Sequence, residues 1–289
     1  MSAFTCPRPS LKHALLFVTL MALPCLSPAT DFAWVEDATP FERGALKLSV
    51  GANHYRSAPF PFSGLDGNLT EAPWVASRYS ASENAQFYLN GAIRKFIAVD
   101  RIDSATGSAE LEAPVTSSQT RSATGDFSIY SKLRFPLFNN KVDFGLLTGF
   151  TMPNTNTGSG LGLDRSVIHG RMILGHTIGQ TRTVANIGIA IVDNTTGNGQ
   201  DDFFTYGFGA SFKPGDNVEL HGELYGIDGP PDGIDDGLFD SLNVTVGIGV
   251  EFGDYIADVT AKGFFKEPSP SSGVFIRFSR IFVIGRGKE

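Results

Sequence analysis

Glu219, His221 and Glu223 stand at alternate positions of one stretch, VELHGELYG, and that spacing puts all three on one face of an extended strand. Two carboxylates flanking an imidazole are a set for acid–base work or for holding a divalent ion. Neither use is complete, because no nucleophile and no further ligand accompany them. Lys132 and Arg134 alternate on another stretch, and ungapped hairpin pairing lays Arg134 diagonal to Asp143. Arg94, Arg171, Asp258, Lys262 and Arg277 fall on the same polar side of their own stretches. Two uses fit such a set. Charges of both signs line a water-filled passage and orient polar solutes, or they close into a ladder of ion pairs that fills the space between them.

Nucleophile chemistry finds no footing elsewhere. The five His residues are His13, His54, His169, His176 and His221, and none begins a His-x-Ser pair of the kind that serves barrel phospholipases. The GSGLGLDR run at 158–165 contains Gly-x-Gly-x-Gly, but it precedes a strand and lacks the helix that a phosphate-binding turn requires. Acidic clusters at 193–202 and 228–237 miss the spacing of an EF-hand and read as solvated loops. The sequence therefore assigns no catalytic residue, no metal ligand set and no cofactor.

The elements that carry these residues have a two-residue rhythm. In SLNVTVGIGVEFGDYIADVTAKGFF (241–265), Leu242, Val244, Val246, Ile248, Val250 and Phe252 alternate with Asn, Thr, Gly and Glu. The same pattern predicts strands near 42–54, 73–80, 84–100, 125–137, 141–152, 165–178, 182–193, 202–213, 217–227, 239–252, 255–266 and 272–283. Tight connections (81–83, Asn139-Asn140, Gln180-Thr181, 214–216, Gly253-Asp254) alternate with long ones rich in Gly, Pro, Ser and Asp: 55–72, 101–124, 153–164, 194–201, 228–238 and 267–271. Pairing through 214–216 sets Gly207 opposite Glu223 and Gly209 opposite His221, leaving room for the bulky groups.

A soluble sheet also alternates, with its apolar face inward. Three features reverse that orientation. The strands average ten or more residues, the length that crosses a bilayer at a tilt. Twelve strands closed on themselves enclose more space than side chains fill, so the polar face can look into a lumen. The outward set is nearly free of charge: Phe127, Ile129, Leu133, Phe135 and Leu137 on one strand, and Phe204, Tyr206, Phe208, Ala210 and Phe212 on another. Phe87, Leu89, Gly91, Ile93, Ile97 and Val99 form a third outward row, in which Lys95 is an exception that implies a local bulge, a snorkelling side chain or a different register. The expected fold is all-β: a transmembrane antiparallel up-and-down β-barrel of about 12 strands spanning 42–283.

The flanks are consistent with export. Arg8 and Lys12 precede the apolar run ALLFVTLMAL, and Ser27-Pro28-Ala29 offers small residues for cleavage, so 1–29 reads as a signal peptide. Its removal takes both cysteines, Cys6 and Cys25, and moves the net charge from −7 to −9. Such a charge argues against nucleic acid as a partner, and a chain without thiols excludes disulfide and thiolate chemistry. Residues 30–41 are a periplasmic leader or a small luminal plug, and 284–289 form a periplasmic tail after the aromatic Phe282. Partners expected of such a chain are outer-membrane lipid and lipopolysaccharide, small organic solutes, and the barrel-assembly machinery during biogenesis.

GDFSIYSKLRF (125–135), KVDFGLLTGFTMPNTNTGSG (141–160) and DRSVIHGRMILGHTIGQTRTVANIGIA (164–190) together resemble the outer-membrane family labelled meta-pathway of phenol degradation. In that family a Gly-Asp opens a strand, a polar-lined hairpin follows, and the next strand ends in Pro before a Gly-rich loop. Gly125-Asp126, Lys132, Arg134 and Pro153 stand at those places, while Asn154-Thr155-Asn156 replaces the usual Thr-Gly-Asp. The resemblance covers residues 84 to 283. It implies an outer-membrane channel or transporter for passive passage of small solutes, hydrophobic and aromatic ones among them, and no enzyme. The other reading is a closed, non-conducting barrel with a structural or surface-interaction role through loops 55–72, 101–124 and 228–238.

Overall fold

The computed structural model describes residues 33–39, 42–103, 116–139, 141–162, 165–193, 200–229, 240–266 and 268–284. The expected signal peptide 1–29, the expected tail beyond Ile284 and most of the acidic stretch 228–238 lie outside the described residues.

Fourteen strand segments form one antiparallel sheet. They are β1 (Ala45–Phe60), β2 (Leu65–Ser82), β3 (Ala85–Ala92), β4 (Arg94–Ile102), β5 (Thr120–Thr124), β6 (Phe127–Leu137) and β7 (Val142–Met152), followed by β8 (Val167–Ile178), β9 (Thr181–Asp193), β10 (Gln200–Gly215), β11 (Val218–Asp228), β12 (Ser241–Phe252), β13 (Tyr255–Phe264) and β14 (Ser272–Val283). Each of β6 to β14 pairs with its neighbour in sequence, and β1 pairs with both β14 and β2, so the sheet closes. β3 and β4 are two halves of one stave, since β2 pairs with β3 along 74–82 and with β4 along 65–71. β5 and β6 are likewise halves of the stave facing it. The closed barrel thus has twelve staves. Closure leaves no open edge along the full-length staves, which a bilayer would penalise by several kcal/mol for each unpaired backbone group.

The outer face is apolar. Val246 is 65% exposed, Ile276 55% and Phe208 52%, and Ile129, Leu133 and Phe135 are exposed on β6. A continuous apolar exterior of this kind suits hydrocarbon.

Three departures from simple alternation matter for the interior. Between Gly51 and Asn53 the register of β1 with β2 shifts, because Ala72-Pro73 on β2 oppose Ala52 alone. Beyond that bulge the odd positions of β2 turn inward. β3 breaks from β4 at Ile93, and β5 from β6 at Gly125-Asp126, at the same level. Trp74 faces Ala92 below the break and Glu71 faces Lys95 above it. Lys95, Ile97 and Val99 therefore look into the barrel, and the outward reading of Ile97 and Val99 is corrected. Lys95 is no exception; its ammonium lies 3.0 Å from Asp126. Ile97 and Val99 pack with Leu65, Leu69, Ala123 and Leu161 in a buried cluster.

Two loop expectations also change. The stretch 55–72 is no long loop: β1 and β2 run on through it and turn at 61–64. β10 extends to Gly215, and a shift between Phe212 and Gly215 sets Gly209 opposite Glu223 and Ser211 opposite His221. The proposed partners were two residues out of step because the turn is Asp216-Asn217 and Lys213-Pro214 form a bulge.

Candidate functional site

Residues 33–39 bring side chains from opposite walls together. The amides of Ala33, Trp34 and Val35 all donate to the Glu223 carboxylate on β11, at 2.6, 2.8 and 2.8 Å. Thr245 on β12 donates to the same carboxylate at 3.1 Å. Asn186 on β9 makes a reciprocal pair with Glu36, accepting from its amide at 2.7 Å and donating to its carbonyl at 2.8 Å. Arg171 on β8 donates to the Trp34 carbonyl at 3.2 Å, and Lys132 on β6 to the Asp37 carbonyl at 2.6 Å. Contacts to so many staves place this segment in the lumen. The wall thus takes up the amides of Ala33, Trp34, Val35 and Glu36 and the carbonyls of Trp34, Glu36 and Asp37, backbone groups that need partners when buried.

Small residues make the space. A side chain at Gly207 would put its first carbon 2.8 Å from a Val35 methyl, and one at Gly145 would come 3.1 Å from Ala38. Val35 and Ala38 are themselves almost fully buried.

Toward the end of the barrel where the short turns cluster, the charges close into a network. Arg182 reaches Asp37 at 2.5 Å and Asp143 at 2.9 Å, and Arg134 meets Asp143 at 2.6 Å. Thr39 donates to Asp143 at 3.1 Å. Around the wall, Lys213 links Glu251 at 2.8 Å with Glu219 at 3.9 Å. His221 lies 3.7 Å from Asp258 and 3.2 Å from the Thr260 hydroxyl, and Arg277 lies 3.6 Å from the same Asp258. His221 owes its room to Gly247 on β12, which faces it directly.

Toward the other end the lining becomes aromatic. The Trp34 indole stacks on Tyr225 at 6.4 Å and meets the edge of Phe264 at 5.7 Å. The Lys262 ammonium sits over Trp34, Tyr55 and Phe275, 5.1–5.2 Å from each ring centre. It also donates to the Asn53 side-chain Oδ1 at 2.8 Å and to the Tyr55 hydroxyl at 3.2 Å. Tyr88 and Tyr130 stack at 4.9 Å on the facing wall. Nearer the mouth a cavity of about 330 Å³ is lined by Phe60, Phe62, Pro153, Leu161 and Val167, with Lys95, Asp126 and Arg165 among its polar groups. Asp126 accepts from the amides of Asn154 and Thr155, both at 2.9 Å, so the Gly-Asp and Pro-Asn-Thr motifs of the sequence meet here. At the rim, Lys266 binds Asp228 at 2.6 Å, and this hydrogen bond raises the Lys266 pKa.

Of the residues singled out by spacing, Lys132, Asp143, Glu219, His221, Glu223, Asp258, Lys262 and Arg277 are buried within the barrel, and Arg134 and Arg171 reach partners there. Arg94 does not join them. The break at Ile93 puts it on the opposite face from Lys95, exposed, with its guanidinium 6.0 Å from the Phe96 ring. Spacing missed Trp34, Glu36, Asp37, Asn53, Glu71, Arg182 and Asn186. Arg182 and Asn186 were findable, because they alternate with the outward Ile187 and Ile189. The segment 33–39 carries no periodic signal.

No family model and no curated sequence matches the chain. Among solved structures it is similar to the COG4313 outer membrane channel from Pseudomonas putida F1. The two are 15% identical over 88% of this chain and 100% of that one, with a TM-score of 0.61. The anion-selective porin from Comamonas acidovorans aligns with 82% of this chain and 98% of its own at 10% identity and TM-score 0.39. The TodX deltaS2S3 mutant monoaromatic hydrocarbon channel aligns over 82% and 88% at 10% identity and TM-score 0.35. The first likeness is one of fold: the chain is a closed antiparallel up-and-down β-barrel of twelve staves.

Proposed function

We propose that the chain is exported, sits in the outer membrane and passes small organic solutes, apolar and aromatic ones included, through a lumen narrowed by its own residues 33–39. One observation carries this reading. The segment crosses the interior, and the Glu223 carboxylate gathers three of its amides, a separable set of contacts rather than a filled core. The apolar cavity at the mouth supports the solute class, since mainly hydrophobic linings with a few fixed polar groups are what small organic ligands use. On this reading the short turns and both chain termini face the periplasm, the long loops face outward amid lipopolysaccharide, and the assembly machinery inserts the chain.

The buried Arg134–Asp143–Arg182–Asp37 network favours a second reading, a permanently closed barrel that acts through its loops. Single-channel conductance of the refolded protein in a planar bilayer decides between them. Discrete steps are expected, enlarged when residues 30–41 are deleted and altered by Arg134→Gln. A folded, heat-modifiable barrel that stays silent with and without the segment, and that admits no radiolabelled aromatic into liposomes, overturns the channel reading.

A further inference from the structure

The surroundings of Trp34 resemble a ligand site with its ligand in place. The indole has an aromatic face against Tyr225, an aromatic edge from Phe264, and a cation over its ring from Lys262. Each of these contacts would be offered equally to any flat ring of similar size. Beside the ring, the Glu223 carboxylate takes the Trp34 amide at 2.8 Å. The ring and its adjacent N–H donor are thus held by the wall as one unit. The indole is half-buried, so a replacement can approach from the open lumen.

The wall around this place is built independently of Trp34. Lys262 is held by Asn53 and Tyr55. Tyr55 meets Phe264 at 6.0 Å, and Tyr225 is fixed by the Arg171 guanidinium, whose bond to the hydroxyl is 3.1 Å. If the segment withdrew, the aromatic and cationic groups would keep their partners. Glu223 would not: it would lose three donors and retain the Thr245 hydroxyl. A buried carboxylate in that position demands a donor in return.

We infer that this wall is a binding subsite for a small aromatic solute carrying an O–H or N–H donor, and that Trp34 with its backbone amide occupies the subsite as a built-in competitor. The inference rests on the channel reading and names its preferred cargo. An aromatic ring without a donor would leave Glu223 unsatisfied, and an aromatic carboxylate would bring a second negative charge against it.

The chain has two tryptophans, so Trp74→Phe leaves Trp34 as the sole reporter. The test titrates the folded full-length barrel in detergent with 4-methylphenol, toluene and benzoate, following Trp34 emission excited at the red edge of its absorption. With 4-methylphenol, a saturable red shift is expected as the indole moves to water, at concentrations about tenfold below any response to toluene or benzoate. Calorimetry on Trp34→Ala supplies a second measurement. That variant should bind 4-methylphenol about tenfold more tightly than the native chain, because the competing ring is gone and only the displaceable backbone amides remain at Glu223. Equal responses to toluene and 4-methylphenol overturn the donor requirement. Absence of saturable binding in both proteins overturns the subsite. Loss of binding with conductance intact leaves the channel standing, whereas binding without conductance or flux removes the channel and keeps the site.

Discussion

Arg182 stands between two carboxylates that have little access to water. Asp37 lies on the luminal segment and Asp143 on β7, and the guanidinium reaches both within 3 Å. Geometry of this kind is worth most when broken, because removing the cation strands two buried charges at once. Arg182→Gln should lower unfolding free energy by about 3 kcal/mol, read from urea titration of heat-modifiability in lipid vesicles. Adding Asp37→Asn should recover part of that loss, since one stranded charge then disappears; a further fall instead would mean that the pair is held by something other than its charges. The asymmetry between the two carboxylates was half legible beforehand. Asp143 follows from hairpin spacing, and Arg134 meets it as that spacing requires. Asp37 has no such signal, since no period ties residues 33–39 to a wall.

At the level of elements, the segment and the staves fit because β7 and β10 present glycine where the segment passes. A Gly207→Val substitution adds carbons into space that Val35 fills, while leaving every luminal charge in place. The segment should be forced off the wall, and conductance steps should rise toward those of the 30–41 deletion. Unchanged steps in a correctly folded variant would mean that the segment does not set the width of the path. The staves themselves were readable where alternation is unbroken, as in β6, β9 and β12. Reading failed where one stave gains a residue. Ala72-Pro73, Ile93 and Gly125-Asp126 reverse the faces of three adjacent staves at one level, which sends Arg94 out and Lys95 in. A single inserted residue inverts every side chain beyond it, and composition holds no trace of that inversion except an isolated charge in an apolar row. Lys95 was that trace.

At the scale of the whole molecule the barrel is inside out, with its charges enclosed and its hydrocarbon groups presented to the surroundings. Its stability in a bilayer should therefore depend on which face a substitution lands on, more than on the residue type. Val246 tests this cleanly. It lies mid-stave on β12 opposite Gly222 and Ala261, 65% exposed, so a new side chain there meets no neighbour within the protein. In water Val246→Lys would be nearly neutral or favourable. At mid-bilayer the ammonium should cost about 2–4 kcal/mol, measured as a lowered urea midpoint for the protein in phosphatidylcholine vesicles. The same substitution near the aqueous rim, at Val283, should cost under about 1 kcal/mol. Equal effects at both sites would mean that lipid does not cover the β12 face, and the transmembrane reading of the apolar exterior would fail with it.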